Sequence, residues 1–110
     1  MTTPTDQLNL IFEIRTPSGK RIRSTNSQWE YIVNFKHPNL KDKLNEVIQT
    51  LVAPDEIRLS RNDPNVHIYY RMIRFSRWVA TVIKVLNGDG FLVTAYITSN
   101  IKEGELHWRR

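Results

Sequence analysis

The sequence predicts an α+β domain: an N-terminal hairpin and two helices packed on one face of a four-stranded antiparallel sheet. Three observations predict it. Arg77 to Ser99 reads as two alternating runs around Asn87-Gly88-Asp89-Gly90, residues that tolerate positive φ and mark a hairpin. Leu40, Leu44, Val47, Ile48, Leu51 and Val52 recur at the spacing of one helix face. The chain order is a hairpin, two helices and then four strands on short connections. That order favours antiparallel pairing with the helices kept to one side.

Each element has its own signal. Leu8 to Thr16 alternates, Thr16-Pro17-Ser18-Gly19 is a turn, and Lys20 to Arg23 returns as a basic edge strand. Thr25 with Gln28 three residues on is a capping-box pattern that opens a first helix carrying Trp29, Ile32 and Val33. Pro38 stops it, Asn39 is placed to cap the second helix, and Pro54 ends that one. Glu56 to Ser60 reads as a strand, residues 61–65 as a loop, and Val66 to Ile73 as a strand. After the Arg77 to Ser99 hairpin comes a polar tail in which Ile101, Leu106 and Trp108 can dock. The helices are expected to cover one sheet face and leave the other as a polar groove.

At 110 residues the chain, residues 1–110, suits one domain. There is no cysteine, and His37, His67 and His107 are scattered without metal-ligand spacing, so neither a metal nor another cofactor is expected. No apolar run reaches the length of a membrane span, and the expectation is a cytoplasmic protein without a membrane partner. The net charge of +5 favours an acidic partner. It is unevenly spread: Ile57 to Val85 holds Arg58, Arg61, Arg71, Arg74, Arg77 and Lys84 against Asp63 alone.

Four segments then carry a resemblance. They are Trp29-Glu30-Tyr31-Ile32 leading to Lys36-His37-Pro38, Thr50-Leu51 before Pro54-Asp55-Glu56-Ile57, Tyr69-Tyr70-Arg71, and Val93-Thr94-Ala95-Tyr96 with Thr98. In order and spacing, over Arg21 to Trp108, they resemble the barnase–EndoU–colicin–RelE superfamily of small nucleases, in its phage and prokaryotic toxin-type branch. The resemblance implies two helices followed by a four-stranded antiparallel sheet. It also implies metal-independent RNA cleavage by 2′-hydroxyl attack, in a toxin–antitoxin or phage-conflict system. The implied partners are RNA, bare or on the ribosome, and an antitoxin protein. Such relatives often carry histidine in a Trp-x-His-Ile setting, where this chain has Tyr31, whose unperturbed pKa is ~10.

Cleavage without a metal needs an acid, a base and cations to hold the phosphorane charge. Arg71 and Arg58 are the expected phosphate binders, because a guanidinium matches phosphate oxygens bidentately. Lys84, Thr94 and Tyr96 complete the expected catalytic set with Arg71, and His37 and Tyr31 are the candidates for proton transfer. Ser60, Arg61, Tyr69 and Thr98 are expected to bind RNA around them. Alternation places Tyr69 in the groove beside Arg71 and Tyr70 in the core with Ile68 and Met72. The alternative is a catalytically weak relative that binds RNA or a protein partner through the same sheet groove.

Overall fold

The structure is a computed structural model that describes residues 9–101 and 103–110; Leu8, the expected start of the first strand, lies outside them. Strands β1 (Leu10–Arg15) and β2 (Arg21–Thr25) form the first hairpin. Helix α1 (Asn26–Tyr31) follows at once, with Thr25 Oγ1 accepting from the Gln28 amide at 3.1 Å, as the capping pattern predicts. The helix widens into a π turn over Ile32–Lys36, where the His37 amide donates to the Ile32 carbonyl at 2.7 Å. Pro38 then starts a 3₁₀ turn, Pro38–Leu40. Helix α2 (Leu44–Val52) is shorter than its apolar spacing predicts. Its first expected member, Leu40, sits in the 3₁₀ turn, and residues 41–42 form a further turn before the helix begins. Leu40 is still fully buried, because the turn aims it at the same core.

The remaining chain is strand: β3 (Glu56–Leu59), β4 (Val66–Arg74), β5 (Arg77–Leu86), β6 (Asp89–Thr98) and β7 (Glu105–Arg109). The β5–β6 turn is the predicted one, with Asn87 at φ 54° and Gly88 at φ 84°.

The expected four-stranded antiparallel sheet under two helices is not what forms. The sheet has seven strands, in the order β1-β2-β6-β5-β4-β3-β7, and is mixed. Two additions make the difference. The first hairpin enters through β2, which runs parallel to β6 with Arg21–Arg23 against Asp89–Phe91. The segment expected as a tail becomes β7 and pairs antiparallel with β3. Both additions occupy edges that would otherwise present a row of unpaired backbone groups. Beyond Phe91 the edge of β6 leaves β2, and there the Gln28 side chain donates to the Val93 carbonyl at 2.6 Å. Gln28 thus caps a strand edge rather than returning to Thr25.

The sheet is rolled. Pro17, Ser18 and Lys20 of the first turn line the same pocket as Ile57 on β3, His67 and Tyr69 on β4, and His107 and Trp108 on β7. Elements at opposite ends of the strand order meet there, which a flat sheet forbids. The concave side holds the main core, built from Phe12, Ile22, Trp29, Ile32, Leu40, Val47, Leu51, Ile57, Tyr69, Val79, Ile83 and Leu92. Helix α2 packs on β5, β4 and β1, so it closes the roll rather than covering a flat face.

The other face is not an open groove. Ile68, Tyr70, Ala80 and Val82 are buried on it, with Val66, Trp78, Val93, Tyr96 and Ile101 packed over them. Strand parity and the β5–β6 register shift near Val82/Ile83 put Ile68 and Val93 on this face. To reach β7 from β6 the chain must cross β5, β4 and β3, and it crosses on this face. Gly104, at φ 83°, is pressed against the Leu59 carbonyl on the way. Among the described residues no helix is long and apolar enough to cross a membrane.

Candidate functional site

The two faces separate the expected catalytic residues. On β4 and β3 the register pairs Ile57 with Tyr69 and Arg58 with Ile68, so Arg58 and Arg71 lie on opposite sides of the sheet. No single phosphate can meet both from one groove. Arg58 donates to Glu56 Oε1 at 3.1 and 2.8 Å and to the Gly104 carbonyl at 3.2 Å. The last of these bonds ties the crossing segment to β3. Arg71 donates to the Ala53 carbonyl at 2.6 Å and lines an open cleft with Asn45, Glu46 and Gln49. Lys84 pairs with Asp63 at 3.2 Å, and Arg61 reaches Glu105 at 3.8 Å in solvent. Ser60 and Arg61 line a second open cleft with Glu103. Thr98 is absorbed in a local turn with Asn100. Tyr31 is exposed on α1, its ring 5.7 Å from that of Phe35 and 5.9 Å from the Lys36 ammonium.

Tyr69 is a correction. It is 1% exposed in the main core, as Tyr70 is in the second one, because both faces of β4 are covered and alternation alone names no wet side.

Three expected residues do come together. The His37 ring lies 5.9 Å from that of Tyr96, and Thr94 stands two residues away on the same face of β6. Burial and the adjacent Tyr70 hydroxyl push the Tyr96 phenol far above its ordinary value. A phenol so raised stays protonated and is a poor proton donor to a leaving group near neutral pH. Thr94 Oγ1 is buried and, among the described residues, has no hydrogen-bond partner. The group is better suited to packing than to proton transfer.

The seam of the roll offers a different chemistry. Its pocket holds about 160 Å³ and is lined by Pro17, Ser18, Lys20, Ile57, His67, Tyr69, His107 and Trp108. The two imidazole rings stand 6.2 Å apart at 45°. His67 is 9% exposed, and burial pushes its pKa below the ordinary 6.5. The charges of Lys20 and His107 push the same way, and hydrogen bonding to the Pro64 carbonyl opposes them. No family model, curated protein or solved structure matches the chain. What the site can do is therefore argued from its own groups.

Those groups are held by distinct devices. Lys20 leaves the first turn, where its ammonium donates to Ser18 Oγ at 3.3 Å. Tyr69 forms the pocket wall; burial pushes its phenol up, against the neighbouring Thr16 and Ser18 hydroxyls. His107 and Trp108 arrive on β7, fixed by the pairing of Trp108 with Ile57. Sequence reasoning named neither Lys20 nor His67 for this site and left His107 and Trp108 in a tail. Its one usable signal was His67 alternating with Tyr69 on a strand, since their partners come from segments remote in the chain. Among the described residues no group of three His, Cys, Asp or Glu could hold a metal ion.

Proposed function

We propose that the protein is a small ribonuclease that cleaves RNA by 2′-hydroxyl attack at the seam pocket, using histidines rather than a metal ion. The observation that carries this is the convergence of His67, His107 and Lys20 on one pocket of about 160 Å³. Neutral imidazole is a proton acceptor near pH 7, and the depressed pKa of His67 keeps it in that form. His67 takes the proton of the ribose 2′-hydroxyl as its oxygen bonds to phosphorus. His107 gives a proton to the 5′-oxygen as the phosphorus–oxygen bond breaks. The products are a 2′,3′-cyclic phosphate and a free 5′-hydroxyl, so atoms and charge balance. Lys20 faces the charge that builds on the phosphorane oxygens, and the half-exposed Trp108 ring offers a face for a base.

The test is cleavage of a dinucleotide and of longer RNA, bare and ribosome-bound, in EDTA. His67→Gln and His107→Gln should each lower the rate ~100- to 10,000-fold, the usual span of one general acid or base. A 2′-deoxy sugar at the scissile position should stop the reaction, and the acid limb of the pH–rate profile should fall below 6.5. Cleavage that survives the double histidine variant, or that is lost in His37→Gln instead, overturns the assignment.

A further inference from the structure

The β4–β5 hairpin ends in a turn whose sequence is wrong for a turn and right for a ligand. At the β5–β6 tip the two positions are Asn87 and Gly88, residues that accept left-handed backbone. At the β4–β5 tip they are Phe75 and Ser76, between Arg74 and Arg77, which pair across the strands. Ser76 is held at φ 59°, a conformation serine adopts at a cost, and Phe75 is 90% exposed. Met72 and Ile73 below it are also exposed. Neither turn chemistry nor burial accounts for a phenyl ring there. Among the described residues neither Arg74 nor Arg77 forms an ion pair; Arg77 reaches only the Ser76 carbonyl, at 3.4 Å.

We propose that this tip is a second contact for single-stranded RNA, Phe75 stacking on an unpaired base while Arg74 and Arg77 hold the flanking phosphates. An exposed aromatic between unpaired cations is the combination that binds single strands with little regard to sequence. A duplex hides its base faces and offers Phe75 nothing. The inference rests on RNA as the substrate of the seam pocket. His67 and Arg74 are the pocket and tip ends of one strand, seven residues apart and so ~23 Å at ~3.3 Å per residue. One extended strand of RNA reaches both, whereas a dinucleotide in the pocket does not.

The experiment is fluorescence anisotropy with a 2′-O-methyl single strand, which binds but cannot be cut, beside the same sequence as a duplex. Phe75→Ala should weaken single-strand binding roughly 5- to 150-fold and leave the duplex unchanged, and Phe75→Trp should restore it. Arg74→Gln with Arg77→Gln should flatten the slope of log affinity against log salt by about 1.4, at ~0.7 per phosphate. None of these exposed changes should move the melting temperature, and dinucleotide cleavage should be unaffected. Loss of cleavage chemistry would not touch the binding measurement, so the two readings fail separately. Equal single-strand binding by wild type and Phe75→Ala overturns the proposal. So does Phe75-dependent sedimentation with anionic vesicles in the absence of strand binding.

Discussion

Gly104→Ala should be strongly destabilising. Two costs combine there. The residue sits at φ 83°, where an L side chain is disfavoured by ~1–2 kcal/mol. A Cβ would also stand 2.5 Å from the Leu59 carbonyl oxygen and 3.1 Å from Arg58 Cβ. The near neighbour is backbone in a strand paired on both sides, so it cannot swing away; the crossing segment must lift or β3 must shift. Overpacking of that kind costs ~1–3 kcal/mol. The sum is ~2–5 kcal/mol, a large share of the ~5–15 kcal/mol that holds a typical domain. Gly88→Ala separates the terms, because Gly88 has φ 84° but nothing within 4 Å of its added Cβ. Urea unfolding of both variants should show Gly104→Ala costing ~1–3 kcal/mol more than Gly88→Ala. Hydrogen exchange at Leu106 and Trp108 should accelerate, since β7 begins just beyond the lifted segment. His107 and Trp108 ride on β7, so the pocket should lose its shape with it. Equal costs for the two glycines would mean that the segment does not seat on β3, and the seven-strand order would be wrong at that edge.

Two further outcomes follow from single side chains. The folded pKa of His67 lies below the unfolded 6.5, so as pH falls the unfolded chain binds the proton first. The stability His67 contributes is complete above pH 6.5 and is lost as pH drops toward its folded value. Melting temperature should therefore fall between pH 7.5 and 5 more steeply in wild type than in His67→Gln, and parallel curves would refute this. Thr94→Val should stabilise by about 1 kcal/mol in urea unfolding, because it removes a buried hydroxyl that lacks a partner among the described residues; a loss of that size would show that the hydroxyl is satisfied.

What was legible in the sequence was local. Asn87-Gly88 fixed its turn because few residues tolerate left-handed backbone, and Val47 with Leu51 marked the buried side of α2 because helix period is a local property. Strand parity was legible too: Tyr69 and Tyr70 do point to opposite faces. Which face is wet was not, because Ile101 and the crossing chain cover the second one, and nothing in Tyr69-Tyr70 reports a segment some thirty residues away. The parallel contact of β2 with β6 is a short ladder, Arg21–Arg23 on Asp89–Phe91, and leaves no periodic trace. The same holds for β7, five residues with every side chain partly in solvent. Cationic residues were legible as cations, but their partners were not. Arg58 meets the Gly104 carbonyl only once the approach to β7 is in place.

That short parallel contact has a consequence for the seam pocket. Arg21 forms a bidentate pair with Asp89, at 3.1 Å from Nε to Oδ1 and 3.1 Å from Nη2 to Oδ2, and its amide reaches the Gly88 carbonyl. Both side chains are nearly half exposed, so the pair contributes little to global stability. Its geometry matters more, because Lys20 is the adjacent residue and its place in the seam pocket depends on where the hairpin docks. The seam is thus closed from two sides by modest contacts, Arg21–Asp89 at one end and the Gly104 crossing at the other. One brings Lys20 and the other His107 to the His67 that β4 already holds. On the proposed ribonuclease reading, this arrangement sets His67 on the buried face of a central strand and completes the site from two segments remote in the chain, which limits water around the phosphate.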